Sequence, residues 1–221
     1  MAYQRYVPAY ATLDEAVLTA WRRIPTAVAS DCMNRTQSMA AAIKPVAPGM
    51  RLCAQARTVV AMAADGGIVQ VALTLARRGE AIVMDAGGVL DTAVWGGIAT
   101  AAARALGIAG IVIDGAVRDL ADIRADGLPT FARAVVPRGP HDGFGGIIDS
   151  AIAAGGVPVR PGDLVLGDDD GVVVVPLERA AEVLRKAEAH LEKEQGWLRA
   201  IAAGKTVPDL FGMPQPEVIG R

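Results

Sequence analysis

Two adjacent side chains with complementary chemistry, Arg118 and Asp119, directly follow a short apolar segment of this 221-residue chain. An arginine presents a planar fork of N–H donors to a carboxylate, and an aspartate is a hard oxygen ligand suited to Mg²⁺ or Mn²⁺. Ligand sites in α/β proteins form where buried strands end, so this pair is a candidate substrate and metal site. The alternative from spacing alone is that Asp119 caps the next helix and that Arg118 is solvated.

Two glycine pairs, Gly87-Gly88 and Gly96-Gly97, precede that segment. Glycine lets a backbone approach a ligand closely, and the free N–H groups at a helix start attract an anion. A helix that starts near Gly97 would offer the amides of Gly97, Ile98 and Ala99 to a carboxylate or a phosphate. The alternative is that the glycines only allow tight packing of a strand on a helix. No G-x-G-x-x-G occurs at this junction, which disfavours a dinucleotide site.

Other motifs carry weaker signals. Residues 203–206 resemble the end of a phosphate-binding loop, but Arg199 stands where that loop needs a glycine, and the segment follows a helix. His141 and His190 fit no catalytic triad and no zinc spacing. His141, in a loop rich in proline and glycine, is a candidate substrate contact.

The composition is that of a soluble globular protein, with 52% hydrophobic residues and a net charge of −2. A nucleic-acid surface normally needs a basic patch or stacking aromatics, and aromatics are only 4% of the chain. No apolar stretch approaches the roughly 20 residues of a membrane span. Cys32 and Cys53 fit no metal or redox spacing and are expected to be buried thiols. We therefore expect a cytoplasmic protein without a nucleic-acid or membrane partner.

Short apolar segments alternate with amphipathic helices, which predicts a mostly parallel α/β layer in one domain. Helices are predicted over residues 12–23, with Thr12 as the N-cap of a capping box, and over 26–33, 66–78, 92–106, 119–125 and 177–203. Strands are predicted over 52–62, 80–85, 109–113, 129–136, 157–160, 163–166 and 171–175. Residues 168–171 have the composition of a hairpin turn. Residues 1–11 are interpreted as an arm and residues 205–221 as a tail.

Five segments of the chain together carry a family resemblance: Ser30-Asp31 with Asn34-Arg35, residues 93–96, residues 107–119 (GIAGIVIDGAVRD), residues 161–163, and residues 167–176 (GDDDGVVVVP). They resemble the RraA-like family, which includes the class II 4-hydroxy-4-methyl-2-oxoglutarate/4-carboxy-4-hydroxy-2-oxoadipate aldolases. The resemblance covers residues 24–212, and its third and fifth segments are the most specific.

The resemblance implies a swivelling β/β/α domain, with a mixed sheet flanked by helices, assembled as a homotrimer or a hexamer with active sites between subunits. It implies that Asp119 ligates Mg²⁺ or Mn²⁺ and that Arg118 contacts the substrate oxygen whose charge changes. Glu194, on the C-terminal helix of a neighbouring subunit, would support the water shell of the metal. The residues implied to hold the carboxylate of a keto acid are Gly96, Gly97, Ile98 and Ala99.

Position 97 departs from this pattern. Family aldolases carry Asp or Glu there, 21 residues before the arginine, and that acid is thought to order a water for proton transfer. With Gly97 in its place, Asp31 or Glu194 would have to supply the proton route.

Three functions therefore stay open. The leading hypothesis is a metal-dependent carbon–carbon lyase that releases pyruvate from 4-hydroxy-2-oxo acids, decarboxylates oxaloacetate, or does both. The alternatives are a different metal-dependent reaction on a related organic acid and a non-enzymatic regulator of a ribonuclease.

Overall fold

The computed structural model describes residues 3–220, so Met1, Ala2 and Arg221 of the predicted arm and tail lie outside the described residues. The strands within that range are β1 (Tyr3–Arg5), β2 (Lys44–Pro45), β3 (Leu52–Ala61), β4 (Ala81–Asp85), β5 (Ala93–Trp95), β6 (Gly110–Val117), β7 (Thr130–Val135), β8 (Gly146–Ile148), β9 (Ile152–Ala154), β10 (Val157–Val159), β11 (Leu164–Asp168) and β12 (Gly171–Val175). The helices are α1 (Glu15–Trp21), α2 (Thr26–Asp31), α3 (Gly67–Leu75), α4 (Gly97–Leu106), α5 (Leu120–Asp126), α6 (Ala180–Ala202) and α7 (Val207–Phe211), and a short 3₁₀ turn (Leu177–Arg179) leads into α6.

Four parallel strands, β3, β4, β6 and β7, form the centre of a ten-stranded mixed sheet whose main order is β1-β8-β3-β4-β6-β7-β2. Ile82, Val83, Ile111 and Val112 on β4 and β6 are fully buried. Such unbroken apolar runs are typical of parallel strands that are covered on both faces. Helices α3, α4 and α5 connect these strands in turn. The predicted mixed sheet flanked by helices is confirmed.

The predicted helix over residues 92–106 is wrong in its first part. Ala93–Trp95 is a strand that pairs in parallel with the end of β6, and Gly96 follows it in an extended conformation before α4 begins at Gly97. The helical periodicity of the alanine-rich part does not extend into Val94-Trp95, whose β-branched and aromatic side chains favour a strand. The predicted end of α4 is confirmed, because Gly107 closes it in the left-handed conformation.

A second layer forms around the antiparallel hairpin β11–β12, which joins the central sheet through β3. Asp168 pairs with Gly171 across its turn, which confirms the predicted hairpin. Helices α1, α2 and α6 cover this hairpin, and Trp21, Met33 and Val183 are buried between them. Burying each such side chain contributes about 1.5–3 kcal/mol.

The predicted N-cap of the first helix is wrong. The N-cap of α1 is Asp14, whose side chain accepts the Val17 N–H. The second helix begins at Thr26 as predicted, and the Thr26 hydroxyl donates to Asp168 Oδ1 at 2.6 Å, but this helix ends at Asp31. The first difference reflects a competing cap that local sequence rules do not rank.

The chain ends are attached to this core. β1 pairs with β8 at the edge of the sheet, within the segment predicted to be an arm. In the predicted tail, Thr206 and Asp209 form a capping box that starts α7, and Phe211 packs edge-on against Trp197 at a centroid distance of 5.0 Å. Among residues 3–220, no helix combines the length and the apolar character needed to cross a membrane.

The two cysteines, Cys32 and Cys53, are free thiols that pack against the layer of α1, α2 and α6. Both are only partly buried, whereas the sequence predicted buried thiols. Burial nevertheless raises the pKa of Cys53 to about 11. A thiol with so high a pKa is a poor nucleophile, so this cysteine has a packing role.

Arg57 on β3 is the centre of a buried ionic network. Its Nε donates to Glu80 Oε2 at 2.8 Å, and its Nη1 donates to the two carboxyl oxygens of Asp149 at 2.9 and 2.7 Å. The Tyr10 hydroxyl donates to Glu80 Oε1 at 2.8 Å. Burial by itself raises the pKa of Glu80, but hydrogen bonds from Arg57, from the Arg77 amide and from Tyr10 outweigh it, so the pKa lies below its ordinary value.

We expect Glu80→Gln to lower the free energy of unfolding at neutral pH by about 3 kcal/mol, because the buried Arg57 loses one of its two charged partners. The folded pKa of Glu80 lies below the unfolded value of about 4.3, so this contribution is present above that pH and disappears as the pH falls through the folded pKa. The variant should therefore lose less stability on acidification than the unmodified chain. Urea unfolding at pH 7 and at acidic pH measures both effects.

Glu182→Gln is the matched control, since Glu182 lies on the exposed face of α6 and pairs only with Lys186. Exposed pairs contribute little, so this variant should unfold like the unmodified chain. Equal effects of the two substitutions would contradict the stabilising role of the Arg57 network.

Candidate functional site

The residues that carry chemistry meet at the carboxyl ends of β5 and β6. Val117, the last residue of β6, pairs with Trp95, the last residue of β5. The Arg118 N–H donates to the Trp95 carbonyl oxygen at 2.9 Å, which fixes the two strand ends side by side. Arg118 and Asp119 therefore leave the sheet beside the first turn of α4, where α/β proteins bind ligands.

Asp119 turns back toward α4. Its φ of 57° lies in the left-handed region, which residues other than glycine rarely adopt. Its side chain makes no capping hydrogen bond to α5; instead, Oδ2 accepts the Gly97 N–H at 2.9 Å. Asp119 therefore occupies the N-cap position of α5, as the alternative predicted, but its side chain binds α4 and does not cap α5. Backbone strain of this kind clusters at functional sites, because the surrounding structure must hold it in place.

The start of α4 supplies backbone donors, but not all of the predicted ones are free. The Gly97 N–H is already used by Asp119, and the Thr100 N–H donates to the Gly96 carbonyl at 3.0 Å. Within residues 3–220, the N–H groups of Ile98 and Ala99 contact no acceptor outside the helix. An anion at this helix start would therefore be held by Ile98 and Ala99.

The glycine pairs have different roles. A side-chain carbon at Gly96 would lie 2.5 Å from Asp119 Oδ2 and 3.1 Å from Arg118 Cγ, so glycine is needed for the close approach of the Arg–Asp pair. Gly87 and Gly88 both have positive φ and form the turn after β4, in which the Gly88 N–H donates to the Asp114 carbonyl. Gly96-Gly97 therefore shapes the site, whereas Gly87-Gly88 forms a turn that does not line the cavity described below.

Arg118 is positioned by a loop, residues 136–145, that the sequence did not connect to it. The guanidinium packs so closely on Gly139 that a side-chain carbon there would overlap Nη1. Arg118 Nε lies 3.6 Å from Asp119 Oδ2, and 41% of the arginine side chain is exposed. The prolines and glycines of this segment predict a loop, but they do not predict that it packs on Arg118. In the same loop His141 makes backbone hydrogen bonds to Ala64 and Gly66 and does not line the cavity described next.

A cavity of about 700 Å³ opens beside the Arg–Asp pair, between α3 and α4. Gly96, Arg118 and Asp119 form its polar end, and Pro140 and Asp142 border it from the loop. The rest of its lining is largely apolar: Val69, Leu73, Val94, Ile98, Ala99, Ala102 and Leu106. A concave, mostly apolar site with a few convergent polar groups is what small-molecule ligands occupy, and this volume accommodates a small organic acid.

Two acids predicted to take part lie elsewhere in the chain. Glu194 is on α6, with Oε1 3.2 Å from His190 Nε2, and α6 packs on α2. Asp31, at the end of α2, pairs with Arg35 at 3.0 Å. Neither acid lines the cavity, so a role for Glu194 requires a neighbouring subunit, as the resemblance implies.

The donor set fits one type of metal ion. Residues 3–220 contain no group of three or more His, Cys, Asp or Glu side chains arranged around a common point, so a cage of protein ligands is not formed by the described chain. Asp119 is 40% exposed, and its Oδ1 accepts no hydrogen bond within the same residues. Mg²⁺ and Mn²⁺ prefer such carboxylate oxygens, and Mg²⁺ keeps several waters, so one aspartate in an open site is sufficient.

The chain is similar to several known proteins. A family model described as RraA-like, Aldolase/RraA, matches residues 26–174. A protein of Halalkalibacterium halodurans with the provisional name 4-hydroxy-4-methyl-2-oxoglutarate aldolase is 37% identical over 185 residues, which are 84% of this chain and 88% of that protein.

Two solved structures are similar over most of the chain. An uncharacterized protein from Pseudomonas syringae pv. tomato matches with a TM-score of 0.78 and 29% identity, over 90% of this chain and 98% of that chain. RraAS2 of Streptomyces coelicolor, described as an unusual member of the RNase ES inhibitor RraA protein family, matches with a TM-score of 0.75 and 28% identity, over 85% of this chain and 98% of that chain.

We expect Gly139→Ala to displace the Arg118 guanidinium while the protein stays folded, because the overlapping atom is the far end of a flexible side chain. A crystal structure of the variant and a thermal melt measure the two effects. Gly196→Ala on α6 is the control: nothing lies within 4 Å of a side-chain carbon there, and alanine should stabilise the helix by about 0.5–1 kcal/mol. An unmoved Arg118 in Gly139→Ala would contradict its positioning by this loop.

Proposed function

The chain belongs to the RraA-like family, and from this premise we propose that it is a divalent-metal-dependent carbon–carbon lyase. Its substrates would be 4-hydroxy-2-oxo acids that yield pyruvate, oxaloacetate that loses CO₂, or both. The observation that carries the proposal is the Arg118–Asp119 pair, held by the Gly97 N–H at the polar end of the cavity. Both reactions leave the same three-carbon fragment, so one site serves both.

Asp119 is the proposed metal ligand, through the oxygen that Gly97 does not occupy. The hydrogen bond to Oδ2 fixes the orientation of the carboxylate before any ligand binds, which is the preorganisation that efficient sites need. When bound, Mg²⁺ or Mn²⁺ supplies Lewis-acid polarisation of the keto group.

Arg118 is the proposed contact to the oxygen whose negative charge changes during the reaction. A guanidinium carries only N–H donors and presents them in a fixed plane. Gly139 and the Asp119 carboxylate hold it on two sides, so little reorganisation is needed.

The first turn of α4 is the proposed cradle for the substrate carboxylate. The N–H groups of Ile98 and Ala99 point out of the helix start, where the helix dipole favours an anion. Gly96 and Gly97 add no side chains of their own at this turn. The apolar lining would then face the part of the substrate beyond the pyruvate unit.

We also propose that the active protein is a homotrimer or a hexamer. Within its own subunit, Glu194 lies on α6 beside His190 and does not line the cavity next to Asp119. A neighbouring subunit would bring its Glu194 to this cavity.

Two rival functions have specific support. The glycine at position 97 favours a different metal-dependent reaction on a related organic acid, because it removes an acid that the aldolases are expected to use. The likeness to the Streptomyces coelicolor protein favours regulation of a ribonuclease. Inhibition of such a ribonuclease that persists in Asp119→Asn, together with no pyruvate release by the unmodified chain, would favour the regulator.

We expect Asp119→Asn to abolish metal-dependent pyruvate release, because the neutral amide is a poor ligand for Mg²⁺ although its oxygen can still accept the Gly97 N–H. The measurement is a lactate-dehydrogenase-coupled assay on 4-hydroxy-2-oxo acids and oxaloacetate, with Mg²⁺ or Mn²⁺ and with a chelator. Titration calorimetry with Mn²⁺ should show that the variant no longer binds the ion.

Asp126→Asn is the control, since Asp126 lies at the far end of α5 and only accepts the Leu128 N–H and pairs with Arg104. It should keep both the activity and the metal affinity. Pyruvate release that survives the chelator, or that is unchanged in Asp119→Asn, would contradict the proposal.

A further inference from the structure

Asp122, the third residue of α5, lies against the first turn of α4. A side-chain carbon at Gly97 would lie 2.9 Å from Asp122 Oδ2, 3.1 Å from Asp122 Cβ and 3.4 Å from Asp119 Cβ. Both aspartates therefore lie close to the position that a side-chain carbon of residue 97 would occupy. Asp122 is exposed, so its carboxylate is accessible to water and to a small molecule.

A side chain at position 97 would have to displace the Asp122 carboxylate. Any side chain there would meet the Asp122 carboxylate, and a contact of 2.9 Å is closer than real side-chain carbons adopt without a shift. An aspartate at position 97 would carry its carboxyl oxygens two bonds from its Cβ, and Asp122 Oδ2 lies 2.9 Å from the position of that Cβ. A carboxylate is thus present beside Gly97, and it comes from α5 instead of α4.

We propose that Asp122 is the residue that moves the proton in this site, directly or through a water that it holds. The inference rests on the proposed lyase function. In aldol cleavage the C3–C4 bond breaks, its electron pair stays on C3 of the pyruvate fragment, the 4-hydroxyl gives up a proton and C3 takes one. In oxaloacetate decarboxylation the C3–C4 bond breaks and C4 leaves as CO₂. The electron pair stays on C3, which takes a proton. Each reaction needs a group that accepts or delivers that proton.

Asp122 does not itself line the cavity, but it lies beside Gly97, which stands between the lining residues Gly96 and Ile98 of the chain. The charged groups of the lining are less suited to this task. Arg118 is assigned to the substrate oxygen, and Asp119 is engaged by the Gly97 N–H and by the proposed metal. Asp142 lines the cavity beside the start of α3, with Oδ1 3.7 Å from the position of a side-chain carbon at Gly66. Asp122 is the carboxylate next to the helix start where the keto acid would be held.

The test separates proton movement from metal binding. Pyruvate is incubated in D₂O with the protein and Mg²⁺, and loss of its methyl signal is followed by proton NMR. Asp122→Asn should slow both this exchange and pyruvate release by about 10²–10⁴-fold, the usual contribution of a proton-transfer group. Its affinity for Mn²⁺, measured by calorimetry without substrate, should equal that of the unmodified chain. Asp126→Asn, a neutralised acid on the same helix, should retain all three.

A second variant tests the location of the carboxylate. Gly97→Asp alone should lower the exchange rate, because two carboxylates then compete for one space. Gly97→Asp combined with Asp122→Ala should exchange at least tenfold faster than Asp122→Asn, because the carboxylate returns to the same place from α4.

The assignment would be overturned by normal exchange in Asp122→Asn, by a loss that appears in Asp142→Asn instead, or by a Mn²⁺ affinity that falls in Asp122→Asn as it does in Asp119→Asn. A strong gain in aldolase activity from Gly97→Asp alone would also overturn it. If the unmodified chain neither exchanges nor releases pyruvate, the lyase function itself fails and the role of Asp122 fails with it. If the unmodified chain exchanges and Asp122→Asn exchanges at the same rate, only the role of Asp122 fails.

Discussion

The hydrogen bond from the Gly97 N–H to the Asp119 carboxylate joins the end of β6 to the start of α4, and the geometry of the site depends on it. It holds Asp119 in a left-handed conformation that a free aspartate would rarely adopt. It also turns one carboxyl oxygen toward the helix and leaves the other for a ligand. Gly96 makes the contact possible, because a side chain there would collide with the same carboxylate.

The buried strands of the central sheet support this contact. β4 and β6 are buried strands in register, and β5 adds a short parallel strand that carries Gly96 to the same edge. The buried network of Arg57, Glu80 and Asp149 ties β3 to the start of β4 and to the end of β8. The site therefore lies on elements with little freedom, as a preorganised polar site requires.

Much of this arrangement could be predicted from the sequence. The Arg118–Asp119 pair, the glycines before α4, the hairpin at residues 168–171 and the parallel strand–helix layer follow from local patterns that agree with one another. The mixed sheet follows only from the family resemblance. The strand Ala93–Trp95, the loop around Gly139 and the approach of Asp122 to Gly97 could not be predicted. Each of these depends on which segments meet in space, and a three-residue strand or an acid in the first turn of a helix has no periodicity that reveals its partner.

The central claim is that Asp119 holds a divalent metal beside a keto acid whose carboxylate binds the start of α4. A crystal structure of the protein soaked with Mg²⁺ and pyruvate tests it most directly. The account predicts a metal ligated by an Asp119 carboxyl oxygen and a pyruvate carboxylate on the N–H groups of Ile98 and Ala99. Metal or pyruvate bound elsewhere, with Asp119 and the start of α4 unchanged, would contradict it.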